Sequence, residues 1–152
     1  AARGYKVMPH TIENSDFIFN VPYAEALQKN DEALAKRLRH EYLVLTNTAT
    51  EFAEKISPEI FGHEIPQLLL IHANDINADC LDEMLKNFEA RGYTFVSLDR
   101  VMADPAYQTK DTYISKYGPT WLFRWAKSKG MDLDFKGDPD PPKWVMDLYN
   151  KR

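Results

Sequence analysis

Between Asp31 and Ser57 the apolar residues Leu34, Leu38, Tyr42, Leu45, Ala49, Phe52 and Ile56 recur at steps of three and four. That spacing predicts one long helix with a single core-facing stripe. Asp31 is placed to cap its start and Pro58 to stop it, while Lys36, Arg37, Arg39, His40 and Glu41 fall on the solvated side. Pro22 suits the first position of a shorter helix through Gln28. A third helical pattern, with Leu81, Met84, Leu85 and Phe88 on one face, follows a cap at Asn77 or Asp79 and closes at Gly92.

Strand patterns are shorter. Leu68-Leu69-Leu70-Ile71, bounded by Pro66 and the polar Ala73-Asn74-Asp75, predicts a strand buried on both faces that ends at His72. Thr94–Leu98 predicts another, so the region forms a βαβ unit with parallel strands. Tyr5–Met8 predicts a third, after a helix tail at Ala1–Gly4. The phrase Ala-Arg-Gly-Tyr precedes a predicted strand twice, at Ala2–Tyr5 and Ala90–Tyr93, the grammar of repeated α/β units. Beyond Asp99 the pattern weakens to one turn over Asp99–Ala103, a short helix over Trp121–Lys129, a rigid polar loop over Asp138–Pro142 and a closing helix with Trp144, Val145, Leu148 and Tyr149. Trp121, Trp125 and Trp144 fit the edge of a core or the wall of a ligand groove.

Composition narrows the function classes. A chain of 152 residues with 44% hydrophobic and 12% aromatic content is long and apolar enough for one folded domain, 1–152. A net charge of −4 offers no electrostatic basis for nucleic-acid or anionic-membrane binding, and no apolar run reaches the length of a membrane span. The single cysteine, Cys80, excludes an internal disulfide and a cysteine zinc cluster; it reads as a small core or surface residue. The chain opens on Ala-Ala-Arg-Gly-Tyr, as though cut from something longer or processed.

The candidate chemistry follows from where residues fall on predicted strands. In strand–loop–helix folds the C-terminal tips of buried strands line the ligand mouth, which makes His72 the leading candidate for a working side chain. A histidine satisfied by hydrogen bonds at a strand end is the alternative. Glu13 and Asp16, after the first predicted strand, are close enough to serve one site, and an Asx-type turn or helix cap explains them equally. A histidine with a nearby carboxylate suits proton transfer. Of His10, His40, His63 and His72 none pairs at i+3 or i+4, and the chain holds no Gly-x-Ser-x-Gly elbow, phosphate-binding loop or dinucleotide fingerprint. No metal site is read from these residues.

Leu68–Asn74, the Asn77-Ala78-Asp79 helix start and Gly92–Asp99 together resemble the C-terminal half of NodB-type polysaccharide deacetylases, carbohydrate esterase family four. Thr11–Asn20, Asp104–Tyr107 and Trp121–Trp125 resemble blocks of one bacterial branch of that family, in the same order. The resemblance implies an α/β fold, the C-terminal portion of a distorted (β/α) barrel, with parallel strands, flanking helices and unpaired strand edges. It implies a hydrolase that removes acetyl groups from polysaccharide or amino sugars, with a divalent metal, usually zinc, activating the attacking water. His72 falls on the general-acid position, and the family's Asp-x-x-Asp-Trp block appears as Glu13-Asn14-Ser15-Asp16-Phe17. Catalytic roles thus go to His72, Asp16 and Glu13, and substrate contacts to Phe17 and Asn74. The substrate would be a polysaccharide or oligosaccharide, in a periplasmic or secreted setting.

The family's Thr-Phe-Asp-Asp, His-x-x-x-His and Arg-x-Pro-Tyr blocks are absent from this sequence. The expectation is a fragment without its own metal, inactive alone and prone to self-association through open strand edges. A non-catalytic carbohydrate-binding or assembly module with an aromatic-rich surface is the alternative.

Overall fold

A computed structural model describes residues 3–5, 7–116 and 118–151. Its chain order is β1 (Ile12–Glu13), α1 (Asp16–Gln28), α2 (Glu32–Phe61), β2 (Leu69–Leu70), α3 (Asp75–Ala90), α4 (Leu98–Met102), a 3₁₀ turn (Pro105–Gln108), α5 (Trp121–Ser128) and α6 (Lys143–Tyr149). Helix accounts for 56% of the structure and the two strands form one parallel pair, so the expected part-barrel is not what this chain forms. The register sets Ile12 beside Leu69 and Glu13 beside Leu70. Two further bonds, from Thr11 N and Ile12 N to Leu68 O, extend the pairing by one residue.

The long helix forms as its stripe predicts. Asp31 accepts from Leu34 N at 3.0 Å, and Leu38, Tyr42, Leu45, Ala49 and Ile56 are buried, with Leu34 and Phe52 half-buried. It does not stop before Pro58. Ile60 is buried in the added turn and Gly62 closes it with φ +78°, so packing outweighs the hydrogen bond that proline removes. α1 likewise starts upstream of Pro22, at Asp16, because Phe19, Tyr23 and Ala26 make one buried stripe through the proline. α3 starts after Asn74 and turns a different face inward. Ile76, Cys80, Met84 and Phe88 are buried, while Leu81 and Leu85 of the predicted face are exposed.

Two apolar clusters result, and α2 runs through both. Its N-terminal half meets Phe19 and Tyr23 of α1, Ile76, Cys80 and Met84 of α3, and Val145 of α6. Its C-terminal half meets Ile12, Ile65, Val101 of α4, Tyr107 of the 3₁₀ turn, and Leu122 and Trp125 of α5. Leu69 of β2 touches both clusters. Cys80 belongs to the first, where burial pushes its thiol up to about 11, the state of an inert core residue.

The missing strands have a physical cause. Residues 94–96 are irregular and exposed, and among the described residues no backbone hydrogen bond joins them to another segment. The predicted βαβ unit is therefore absent. The 68–71 run is not buried on both faces: Leu70 and Ile71 are exposed, and Ile71 borders a 260 Å³ groove that Leu69, Leu85, Phe95 and Val96 also line. Of the predicted Tyr5–Met8 strand, Lys6 lies outside the described residues, and Tyr5, Val7 and Met8 form no strand. The predicted helix tail at Ala1–Gly4 falls partly on Ala1 and Ala2, also outside them. Gly4 and Gly92 both adopt positive φ, so the repeated phrase encodes a turn more firmly than the strand after it.

Candidate functional site

Parallel pairing brings the C-terminal ends of β1 and β2 to the same edge, where each feeds a helix. After β1 the chain turns at Ser15, a non-glycine residue with φ +54°, and enters α1 at Asp16. After β2 it passes His72 and Ala73 to Asn74, the cap of α3, whose side chain accepts from Asn77 N at 3.0 Å. Two turns with opposite sequence separations thus put Asp16, His72, Asn74 and Asn77 together.

Asp16 is the centre of this group. It is only 1% exposed, and N–H groups converge on its carboxylate. Oδ2 accepts from His72 N at 2.6 Å, Asn77 Nδ2 at 2.5 Å and Asn74 Nδ2 at 3.2 Å, while Oδ1 lies 2.7 Å from His72 Nδ1. A carboxylate surrounded by donors acts as an acceptor, so His72 presents Nδ1–H to it. The His72 side chain is otherwise 54% exposed, leaving Nε2 toward solvent. It borders an open depression of 520 Å³ lined by Ile71, Asn74, Asn77 and Leu81. Phe17 stands edge-on to the imidazole at 6.4 Å and to Tyr149 at 6.3 Å, and is itself exposed.

A second layer lies behind Asp16. Tyr42 donates to Asn77 Oδ1 at 2.5 Å and accepts from Asn14 Nδ2 at 2.6 Å; Asn14 also donates to Thr46 at 3.2 Å. Burial first, and then the Asp16 charge, hold the Tyr42 hydroxyl well above its ordinary pKa, so it remains a proton donor.

Of the two acids singled out in the sequence, Asp16 touches His72. Glu13 turns back on the chain instead, accepting from Ser15 N at 2.9 Å and Ser15 Oγ at 3.3 Å. Burial raises its carboxyl pKa, and the neighbouring Asp16 charge adds to that rise. Phe17 is exposed beside His72. Asn74 has its oxygen committed to the helix cap and one amide hydrogen to Asp16. His63 lies elsewhere, 3.2 Å from Asp104, and His40 is exposed on α2.

Nothing in the sequence pattern assigns functional weight to Asn77, Tyr42 or Asn14. Tyr42 was legible only as a stripe residue, although a buried tyrosine hydroxyl needs a partner, which is the signal that points inward from α2. The tryptophans serve packing. Trp125 is buried, Arg124 lies over Trp121 at 5.0 Å, and Arg37 lies over Trp144 at 3.9 Å.

Among the described residues no group of three or more His, Cys, Asp or Glu is placed to hold a metal ion, so these side chains do not fit the metal half of the family resemblance. Also among the described residues, no helix is long and apolar enough to cross a membrane. Comparison with family models, with curated proteins and with solved structures finds no match to this chain.

Proposed function

We propose that this chain carries the proton-donating side of a hydrolase that removes acetyl groups from polysaccharide or amino sugars, with His72 as general acid. The observation that carries the reading is the His72–Asp16 pair, 2.7 Å apart, with the acid buried and the imidazole open to solvent. Asp16 holds Nδ1–H, so a protonated His72 offers its second proton from Nε2. As the bond between the acetyl carbon and the leaving nitrogen or oxygen breaks, its electron pair passes to that atom. The Nε2 proton neutralises the developing charge, and His72 returns to the neutral Nδ1–H form. Phe17 and Tyr149 give the sugar an apolar wall beside the reacting group.

This role is independent of how the attacking water is activated, for which these side chains form no metal cradle. The isolated chain is therefore expected to show no deacetylation of N-acetylglucosamine oligomers. In a version extended at its N-terminus, His72→Ala is expected to lower turnover by about 10²–10⁴-fold, the range of a lost general acid. Unchanged turnover in that variant sinks the reading.

The groove beside β2 also leaves apolar surface open to solvent. Phe95 is 56% exposed there, with Ile71 and Val96 also exposed along its lining. Exposed apolar surface of this kind associates. Sedimentation velocity of the isolated chain is expected to show concentration-dependent self-association, and a strictly monomeric, sharply melting sample contradicts it.

A further inference from the structure

We infer that Tyr42 is a positioning residue for His72, acting through Asn77 and Asp16 to keep the imidazole in its Nδ1–H tautomer. The inference rests on the reading of His72 as the proton carrier and adds a residue remote from the substrate that controls it.

The direction of each hydrogen bond is forced, starting from the charge. Asn77 faces two acceptors, Asp16 Oδ2 at 2.5 Å and His72 O at 2.9 Å, and only its NH₂ group satisfies both. Its Oδ1 must then point the other way and needs a donor, which the Tyr42 hydroxyl supplies at 2.5 Å. That leaves the tyrosine oxygen as an acceptor, filled by Asn14 Nδ2. Without the hydroxyl, Asn77 Oδ1 loses its donor in a buried site, and the side chain can recover one only by turning or shifting away from Asp16 and the His72 carbonyl. A reversed amide would present oxygen to the Asp16 carboxylate and to the His72 carbonyl, displacing the acid that anchors Nδ1. Tyr42, Asn77 and Asp16 come from α2, α3 and α1, so packing of three helices is read out at one ring nitrogen.

The test is the tautomeric state of His72, read from its ring nitrogens by long-range ¹H–¹⁵N correlation in the isolated chain, with the resonance assigned by its loss in His72→Ala. The unaltered chain is expected to show a single Nδ1–H signature at a pH where the ring is neutral. Tyr42→Phe is expected to replace it with a mixed signal in which Nε2–H appears. Asn14→Ala removes the bonds to Tyr42 and Thr46 but leaves the Tyr42–Asn77 link, and is expected to keep the single signature. Should Tyr42→Phe fail to fold, Asn77→Ser breaks the same link from the first turn of α3 and is expected to give the mixed signal.

An unchanged tautomer in a folded Tyr42→Phe or Asn77→Ser variant overturns the inference. So does an equal mixture in Asn14→Ala, which would mean general loosening. A shifted tautomer with undiminished deacetylation in the extended version supports the positioning role and overturns the proton-carrier reading, so the two fail separately.

Discussion

Asp16→Ala is expected to destabilise the chain by about 2–6 kcal/mol. The estimate follows from the donors it strands. Asn77 Nδ2 and the His72 backbone N–H lose their acceptor in a region where the acid is 1% exposed, and each buried, unsatisfied donor costs about 1–3 kcal/mol. His72 Nδ1 adds little, because a half-exposed ring finds water. Against total stabilities of about 5–15 kcal/mol, this loss is a large fraction. Urea unfolding at unchanged slope measures it. Asp16→Asn keeps the shape but sets an amide N–H among N–H donors, so it should recover packing without recovering the His72 anchor. A midpoint for Asp16→Ala within about 0.5 kcal/mol of the parent would mean that the donors are not directed at this carboxylate.

Trp125→Ala is expected to cost about 3–5 kcal/mol, the range for removing a large buried aromatic. Trp125 is 1% exposed and meets Phe61, Tyr107 and Trp121 with ring centroids 5.5, 5.4 and 5.9 Å away. Its distant effect is the more telling one. Cys80 lies in the other apolar cluster and is the only cysteine, so its reaction with a thiol reagent reports opening there. If α2 makes the clusters one cooperative unit, protection of Cys80 falls by on the order of 10²–10³-fold, at about 1.4 kcal/mol per tenfold. Unchanged Cys80 protection, with helical signal lost, would show that the clusters unfold separately.

The elements legible in the sequence were those whose signal is local. The α2 stripe, the Asp31 cap, the Gly92 stop and the short helices at Trp121 and Trp144 all depend on spacing within a few turns. What failed depended on partners elsewhere. Leu68–Ile71 and Thr94–Leu98 have strand composition, but a strand needs a neighbour, and this fold pairs two residues of the first run and none of the second. The α/β expectation erred for that reason, as did the assignment of Leu81 and Leu85 to the core. Pro22 and Pro58 misled in the other direction, because buried stripes on both sides of each proline carried the helices through. His72 and Asp16 were found from their places at strand ends and in the family-like block. Their supporting residues were not, since Tyr42 and Asn14 act through contacts made across 28 and more positions.

The pairing of Asp16 with His72 spans 56 residues, and most of that interval is the two helices that cross from β1 to β2. Closing so long a loop is entropically expensive until the helices have docked. The contact therefore belongs to the end of folding, after α1 and α2 are in place and α3 has been made. A nascent or partly folded chain holds the histidine and the acid apart, so their hydrogen bond forms together with the native state.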